Sequence, residues 1–233
     1  MKLAVVACLH GNELYGVEVV RKLPCDADAF IANTAAILER KRFVYSDLNR
    51  CFPGKKDGNF EERLAYMLKE ELKDYDYVID LHSCSRPSPL FGIITKPNEE
   101  KIEFARKLGL EKLVIMSEDL ASGHSMIDHM KCGISMELGP HERKDNAKDA
   151  LERISHFLER RPPKEDMEIY EVVGILKKEY PTVYIDNFEH VQEGKVITQV
   201  YGYSQFASYD FTAVLTDEEE YPEILCLACK KVY

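Results

Sequence analysis

Two residues of types that bind metals stand close together near the start of the chain. His10 and Glu13 lie in the segment Cys8-Leu9-His10-Gly11-Asn12-Glu13, which directly follows a short apolar run at residues 2–7. Imidazole nitrogens and carboxylate oxygens are accepted zinc ligands, and the apolar run is typical of a buried strand that the glycine ends. The pair alone is a weak signal, because a polar loop without a metal also carries such residues.

A second apolar segment ends in a histidine and completes a set of three ligands. Residues 77–81 form a largely apolar run that leads directly to His82. Two imidazoles and one carboxylate leave the fourth tetrahedral position of a zinc ion open for water, as in catalytic zinc sites. Asp80 would orient the ring of His82 through its far nitrogen, or it would only cap the strand end. The predicted metal ligands are therefore His10, Glu13 and His82.

Four short motifs follow one another along the chain. They are His10-Gly11-Asn12-Glu13, Asp47-Leu48-Asn49-Arg50, Asp80-Leu81-His82-Ser83 and Glu137-Leu138-Gly139-Pro140. In this order they resemble the aspartoacylase and succinylglutamate desuccinylase family, a branch of the zinc carboxypeptidase superfamily whose members hydrolyse N-acyl amino acids. The resemblance implies one Zn²⁺ per chain and a hydrolase that cleaves the amide bond of an N-acyl amino acid or a related small amide.

The resemblance also implies roles for residues outside the ligand set. Glu137 would be the general base and acid, although a glutamate at a strand end is by itself more often just solvated. Arg42 would steady the oxyanion, with Arg40 as a competing candidate. Asn49 and Arg50 would grip the carboxylate of the substrate, for which the guanidinium fork is well suited.

The chain departs from the family pattern in two places. Aspartoacylases carry a further substrate-binding arginine shortly before the catalytic glutamate, whereas residues 123–128 contain none, which argues against an acidic substrate of the aspartate type. The family's pocket tyrosine has its nearest counterpart at residues 188–190, so His190 is predicted to bind the substrate instead. His124 and His129 are further pocket candidates.

Several other functions stay open at this stage. A metallocarboxypeptidase acting on a short peptide would share the zinc, the base and the carboxylate clamp. A metal-binding or ligand-binding protein without catalysis would keep the ligands alone. A thiol hydrolase built on Cys84 and a nearby histidine is a more distant alternative.

Charge and composition limit the partners of the protein. The 233-residue chain has a formal net charge of −10 and lacks the basic stripe that nucleic-acid binding needs. The basic residues at 40–42 and 50 instead suit a small anionic substrate that resembles an acyl-amino acid. The apolar start is too short for a signal peptide, and no apolar run reaches membrane-spanning length. Seven scattered cysteines predict reduced thiols and a cytoplasmic protein. The sequence is also compatible with a homo-oligomer.

Alternating strand and helix patterns predict the fold class. Strand-like runs at 2–7, 29–35, 77–82, 90–95, 112–116 and 133–138 alternate with helical patterns from residue 14 and at 60–74, 98–108, 125–130 and 145–160. The pattern favours an α/β domain at residues 1–161 with a mixed, mostly parallel sheet and helices on both faces, which is the zinc-carboxypeptidase-like arrangement. After the paired prolines at 162–163, short β-rich segments predict a small β domain at 165–233 that contributes to the pocket rim.

Overall fold

A computed structural model describes residues 1–121 and 123–232 of the chain. The strands are β1 (Leu3–Ala7), β2 (Asp28–Ile31), β3 (Tyr77–Cys84), β4 (Phe91–Thr95), β5 (Lys112–Met116), β6 (Gly133–Pro140), β7 (Glu168–Lys177), β8 (Thr182–Val183), β9 (His190–Val191), β10 (Val196–Val200), β11 (Tyr203–Phe206), β12 (Phe211–Val214) and β13 (Ile224–Lys231). The α-helices are α1 (Tyr15–Lys22), α2 (Thr34–Glu39), α3 (Phe60–Leu72), α4 (Glu99–Lys107) and α5 (Asn146–Leu158). Short 3₁₀ helices cover Leu48–Arg50, Glu118–Ala121 and Met126–His129.

Within the described residues, one ten-stranded mixed sheet forms the centre of the molecule. Its order is β2-β1-β3-β6-β4-β5-β7-β13-β12-β9. Strands β2, β1, β3 and β6 are parallel to one another, β4 runs antiparallel to β6, and β5 and β7 are parallel to β4. The predicted mixed, mostly parallel sheet is confirmed for the part of the chain that carries the motifs.

Both faces of this sheet are covered by helices, as predicted. Successive residues of a strand point to opposite faces, and in β1 Val5 packs into the cluster that contains residues of α1, α4 and α5, whereas Val6 packs into the cluster that contains residues of α3. Every residue of β1 is buried, because it is covered on both sides. Asp80 is the register partner of Val6, so it lies on the face that carries α3.

The helix α3 begins where the sequence predicts it. The side chain of Asn59 accepts a hydrogen bond from the backbone N–H of Glu62, and the Glu62 side chain accepts one from the backbone of Asn59. This capping box satisfies backbone donors that the first turn leaves without partners. By contrast, the strand predicted at residues 29–35 ends at Ile31. Asn33 accepts the N–H of Ala36 and so begins the short helix α2 there.

The C-terminal segment extends the main sheet across the predicted domain boundary. Strand β7 pairs in parallel with β5, and β13, β12 and β9 follow as antiparallel neighbours. Strands β8, β10 and β11 form a separate three-stranded sheet. The predicted boundary at residues 161–165 therefore falls in a loop, but the sheet is continuous from one side of it to the other.

Two further features concern the environment of the chain. All seven cysteines are free thiols. No helix in the described ranges combines the length and the apolar character needed to cross a membrane.

Candidate metal centre and active site

The loop between β1 and α1 places His10 and Glu13 at the carboxyl end of β1. The backbone of Cys8 has a φ of 58°, which turns the chain sharply as it leaves the strand. Gly11 then passes so close to α2 that a Cβ atom on it would lie 2.2 Å from the carbonyl carbon of Ala36. The N–H of Gly11 donates to the carbonyl oxygen of Arg42 at 3.0 Å. Only glycine fits this position, and the close packing fixes the loop that carries both predicted ligands.

His10, Glu13 and His82 converge as the sequence predicts. Each offers one ligand atom, and these atoms all lie within 4.8 Å of one another. Nδ1 of His10 is 3.4 Å from Oε2 of Glu13, and Nδ1 of His82 is 3.4 Å from Oε1 of Glu13. All three residues are buried, with relative exposures of 2%, 1% and 4%.

The donor atoms of this cluster fit a divalent metal. Nδ1 of His10 and Oε2 of Glu13 are buried and have no hydrogen-bond partner. Buried polar atoms normally find partners, and two imidazole nitrogens with a carboxylate are donors that zinc prefers. Burial by itself would raise the pKa of Glu13, but the two histidines hold that pKa well below its ordinary value. The carboxyl group of Glu13 is therefore ionised.

Two aspartates orient the histidines of the cluster. Nε2 of His82 lies 2.7 Å from Oδ2 of Asp80, and Nε2 of His10 lies 3.2 Å from Oδ1 of Asp47. Both rings therefore present Nδ1 to Glu13. Carboxylates in this position fix the ring orientation and the tautomer of metal-binding histidines.

Glu137 lies beside His82 on the same face of the sheet. The two residues are register partners in β3 and β6, which brings the carboxyl group to the ligand cluster. Glu137 is 8% exposed, and its Oε2 atom has no hydrogen-bond partner. Burial raises the pKa of Glu137 to about 8. A carboxyl group with a raised pKa can both take up and release a proton near neutral pH, as a general base and acid must.

Arg42 is held in the site by two carboxylates. Its Nε and Nη2 atoms donate to Oδ2 of Asp47 at 3.1 and 3.0 Å, and its Nη1 atom lies 3.6 Å from Oε1 of Glu220. Asp47 therefore contacts both Arg42 and His10. This fixes a positive charge in a defined position next to the ligand cluster. Arg40, the competing candidate, caps the end of α2 in a left-handed conformation.

Asn49 and Arg50 occupy the 3₁₀ helix Leu48–Arg50, which Asp47 caps by accepting the N–H of Asn49 at 2.9 Å. Oδ1 of Asn49 accepts the N–H of Met126 at 2.9 Å, which ties this turn to the next 3₁₀ helix. Nη2 of Arg50 donates to the hydroxyl of Tyr221 at 2.9 Å. Both residues line the cavity beside the ligand cluster, where they could receive a carboxylate.

The predicted substrate-binding role of His190 has no support in the geometry. His190 is exposed, lies on β9 at the end of the sheet farthest from β2, and does not line the cavity. Its neighbour across the strand pair is Thr212. His190 was selected only by its place within residues 188–190, and the chain there forms the outer strand of the sheet. His124 and His129 also lie outside the lining; ring nitrogens of these residues are near the carbonyl oxygens of Phe52 and Gly123.

Three residues from the C-terminal part of the chain line the cavity and were not predicted from the sequence. Glu218, Glu220 and Tyr221 line it from the turn between β12 and β13. The N–H of Ser85 donates to Oε2 of Glu218 at 2.7 Å, which fastens this turn to the end of β3. The signal in the sequence was the acidic run at 217–220 followed by a Tyr-Pro pair directly after an apolar strand.

The resulting cavity has a volume of about 220 Å³ and contains the ligand cluster, Glu137 and both arginines. It extends from β3 and β6 across β4 towards β7 and β13, over one face of the sheet. A pocket of this size suits a small molecule that reaches the ligand cluster and the base together.

The mixed sheet with helices on both faces is a zinc-carboxypeptidase-like α/β fold. The structure of murine aminoacylase 3 superposes on it with a TM-score of 0.84 at 20% identity, covering 100% of this chain and 95% of that one. Residues 1–160 match the model of the succinylglutamate desuccinylase/aspartoacylase catalytic domain, and the chain belongs to this family.

Two curated relatives are similar over part of their length. A probable aspartoacylase from Trichodesmium erythraeum is 30% identical over 127 residues, which are 46% of this chain and 43% of that protein. An N-acyl-aromatic-L-amino acid amidohydrolase (carboxylate-forming) from Danio rerio is 25% identical over 170 residues, 59% of this chain and 54% of that protein. The matched part thus spans about half the length of these relatives.

Proposed function

We propose that the protein is a zinc-dependent deacylase that hydrolyses the amide bond of an N-acyl amino acid or a related small amide. The observation that carries the proposal is the convergence, on one small cavity, of a His-Glu-His cluster with unpartnered donor atoms and a buried glutamate with an unpartnered oxygen. The names of the two curated relatives, one a probable aspartoacylase and the other an amidohydrolase of N-acyl aromatic amino acids, agree with this reaction class.

His10, Glu13 and His82 would hold one zinc ion. When bound, the ion would supply a Lewis acid that activates water and polarises a carbonyl group. The ligand rings need no reorientation, because Asp47 and Asp80 already fix them.

The remaining residues divide the work of amide hydrolysis. Glu137 takes a proton from the attacking water and returns it to the leaving nitrogen as the C–N bond breaks, which yields a carboxylate and an amine. Arg42 faces the negative charge that develops on the carbonyl oxygen, and its contacts with Asp47 keep it in place. Asn49 and Arg50 receive the carboxylate of the substrate at the cavity mouth.

The decisive experiment measures metal content and turnover in parallel. Wild-type protein loaded with zinc and then dialysed should retain one zinc per chain by mass spectrometry and should release amine from a panel of N-acyl amino acids. His82→Ala should lose both the metal and the activity, whereas Glu137→Gln should keep the metal and lose about 10²–10⁴-fold in kcat. His190→Ala is the matched control, since this exposed histidine should change neither.

Three results would contradict the proposal. Full metal retention by His82→Ala would remove it from the ligand set. Turnover that survives chelation would favour a different chemistry. Cleavage of short peptides with silence on every N-acyl amino acid would favour a carboxypeptidase that uses the same site.

A further inference from the structure

The cavity holds few positive charges that are free to meet a substrate. Two arginines and four glutamates line it among the described residues. Arg42 is already paired, through Nε and Nη2 with Asp47 and through Nη1 with Glu220 at 3.6 Å. Arg50 differs, because its two hydrogen bonds go to neutral acceptors, the carbonyl oxygen of Asn49 and the hydroxyl of Tyr221. Among the described side chains that line the cavity, Arg50 is therefore the cation with no hydrogen bond to a carboxylate, which is enough for a single substrate carboxylate.

The wall on the far side of the base is apolar. Ile93 is the register partner of Ser135, two residues from Glu137, and it faces the cavity from β4. Ile127 and Leu227 continue this wall and, like Ile93, are less than 9% exposed. Ile175 is the register partner of Leu227 and forms the rim, with 45% of its surface exposed. Burying an unpaired carboxylate against such a wall is costly, whereas burying an alkyl or aromatic group is favourable.

The third side of the cavity carries two further glutamates. Glu218 and Glu220 enter from the turn between β12 and β13, and Glu220 already shares Arg42 with Asp47. A substrate with an additional carboxylate would meet these side chains, and among the described lining residues the cations are Arg42, which is already paired, and Arg50, which binds the first carboxylate. Like charges at short distance disfavour binding, which is how a site rejects a wrong ligand.

We propose that this site selects N-acyl amino acids that carry one carboxylate and one apolar group, and that it discriminates against dicarboxylates such as acyl-aspartate. The carboxylate lies at Arg50, and the apolar group lies against Ile93, Ile127 and Leu227. The apolar group is either the amino-acid side chain or the acyl chain. This inference rests on the proposed deacylase function and specifies its substrate class.

The first test compares substrates of similar size on the zinc-loaded wild-type protein. N-acetyl-leucine should exceed N-acetyl-aspartate in kcat/KM by at least about tenfold, because the acidic side chain finds no partner. N-butyrylglycine against N-succinylglycine makes the same comparison on the acyl side. Whichever pair shows the larger ratio identifies the group that occupies the apolar wall. Equal or better turnover of the dicarboxylates in both pairs would overturn the inference.

A pair of variants on β7 tests the location of the apolar wall. Ile175→Arg adds a cation at the rim and should raise the ratio of N-acetyl-aspartate to N-acetyl-leucine turnover by about tenfold. Val173→Arg is the control, since Val173 is 56% exposed, lies on the same strand two positions before Ile175 at an irregularity in the pairing with β13, and does not line the cavity. It should leave the ratio unchanged. An identical response of both variants would show that the wall does not contact the substrate.

Binding measurements separate failure of this inference from failure of the proposed function. Calorimetry with zinc-loaded Glu137→Gln should show tighter binding of N-acetyl-leucine than of N-acetyl-aspartate. That preference in a protein whose wild type cleaves no amide would contradict the deacylase while supporting the apolar selection. Turnover of acyl amino acids without this binding preference would support the deacylase and contradict the apolar selection. Absence of binding for every ligand would overturn the selection as well.

Discussion

Asp47 connects the two parts of the site at the level of a single side chain. One carboxylate oxygen faces Nε2 of His10, and the other accepts two hydrogen bonds from Arg42. Burial alone would raise the pKa of Asp47, but the contact with His10 and the charges of Arg42 and Arg50 hold it well below its ordinary value. The negative charge therefore persists and is shared between His10, a proposed metal ligand, and Arg42, which is proposed to face the oxyanion.

Removing the charge of Asp47 should weaken zinc binding and catalysis together. Asp47→Asn keeps the size of the side chain but removes its charge, so zinc affinity and kcat should each fall by about 10–100-fold. The measurements are zinc competition with a chelating dye and kcat on the best N-acyl amino acid. Asp26→Asn, at an exposed position of the same residue type, is the control. Normal zinc affinity with reduced kcat would restrict Asp47 to orienting Arg42.

The ionisation of Glu137 predicts the pH dependence of catalysis. Burial raises the pKa of this carboxyl group to about 8, and a general base acts only when it is ionised. Activity should therefore rise with pH through an acidic limb, and the limb of the zinc-loaded enzyme should lie below this value because a nearby cation favours the carboxylate. The profile of kcat/KM against pH measures it. The residual activity of Glu137→Gln should lack this limb, and an unchanged limb in that variant would assign it to another group.

At the scale of single elements, the cap of α3 is a local source of stability with no contact to the ligand cluster. Asn59→Ala removes the oxygen that accepts the N–H of Glu62, and the loss should cost about 1 kcal/mol. For a domain of this size the midpoint of thermal unfolding should fall by about 2–4 °C. Asn59→Asp retains a capping oxygen and should stay close to wild type. Zinc affinity should be equal in all three proteins, and a change in Asn59→Ala alone would show that α3 positions the site.

The elements also show what the sequence can predict. Helix α3 was predictable because its capping residues and its apolar stripe are local in sequence, and β5 was predicted with the observed bounds, 112–116. Helix α2 was not predicted, since its six residues, Thr-Ala-Ala-Ile-Leu-Glu, continue an apolar run that is equally compatible with a strand. Its existence depends on the cap by Asn33 and on contact with Gly11, which only the folded chain provides.

The residues of the site also separate into those that the sequence predicts and those that it does not. The convergence of His10, Glu13 and His82 was predictable because these residues follow recognisable apolar strands, whereas Glu137 was singled out by the family resemblance. Tyr221 was not predictable, because its contact with Arg50 joins residues 171 positions apart, and no local pattern specifies such a pairing. Local periodicity likewise does not say which strand edge β7 joins, so the continuity of the sheet had to come from the structure.

At the scale of the molecule, the continuous sheet predicts that residues 1–160 are not stable alone. Removing β7 would leave β5 as an open edge and would uncover Val114, which packs with Tyr170 and Leu227 in one cluster. Open apolar edges promote aggregation. The truncated protein should be insoluble or lack a cooperative unfolding transition, whereas the full chain should unfold in one step by calorimetry. A soluble, cooperatively folded fragment that binds zinc would support the predicted division into two domains.

The turn between β12 and β13 also has a consequence for the order in which the protein acquires its parts during synthesis. All three proposed zinc ligands precede Tyr221 by more than a hundred positions, so at about 5–20 residues per second they are synthesised several seconds earlier. Ser85 and Arg50 can meet their partners on this turn only once Glu218 and Tyr221 have been synthesised. The emerging chain thus carries the three proposed ligand residues before it contains the turn that completes the cavity.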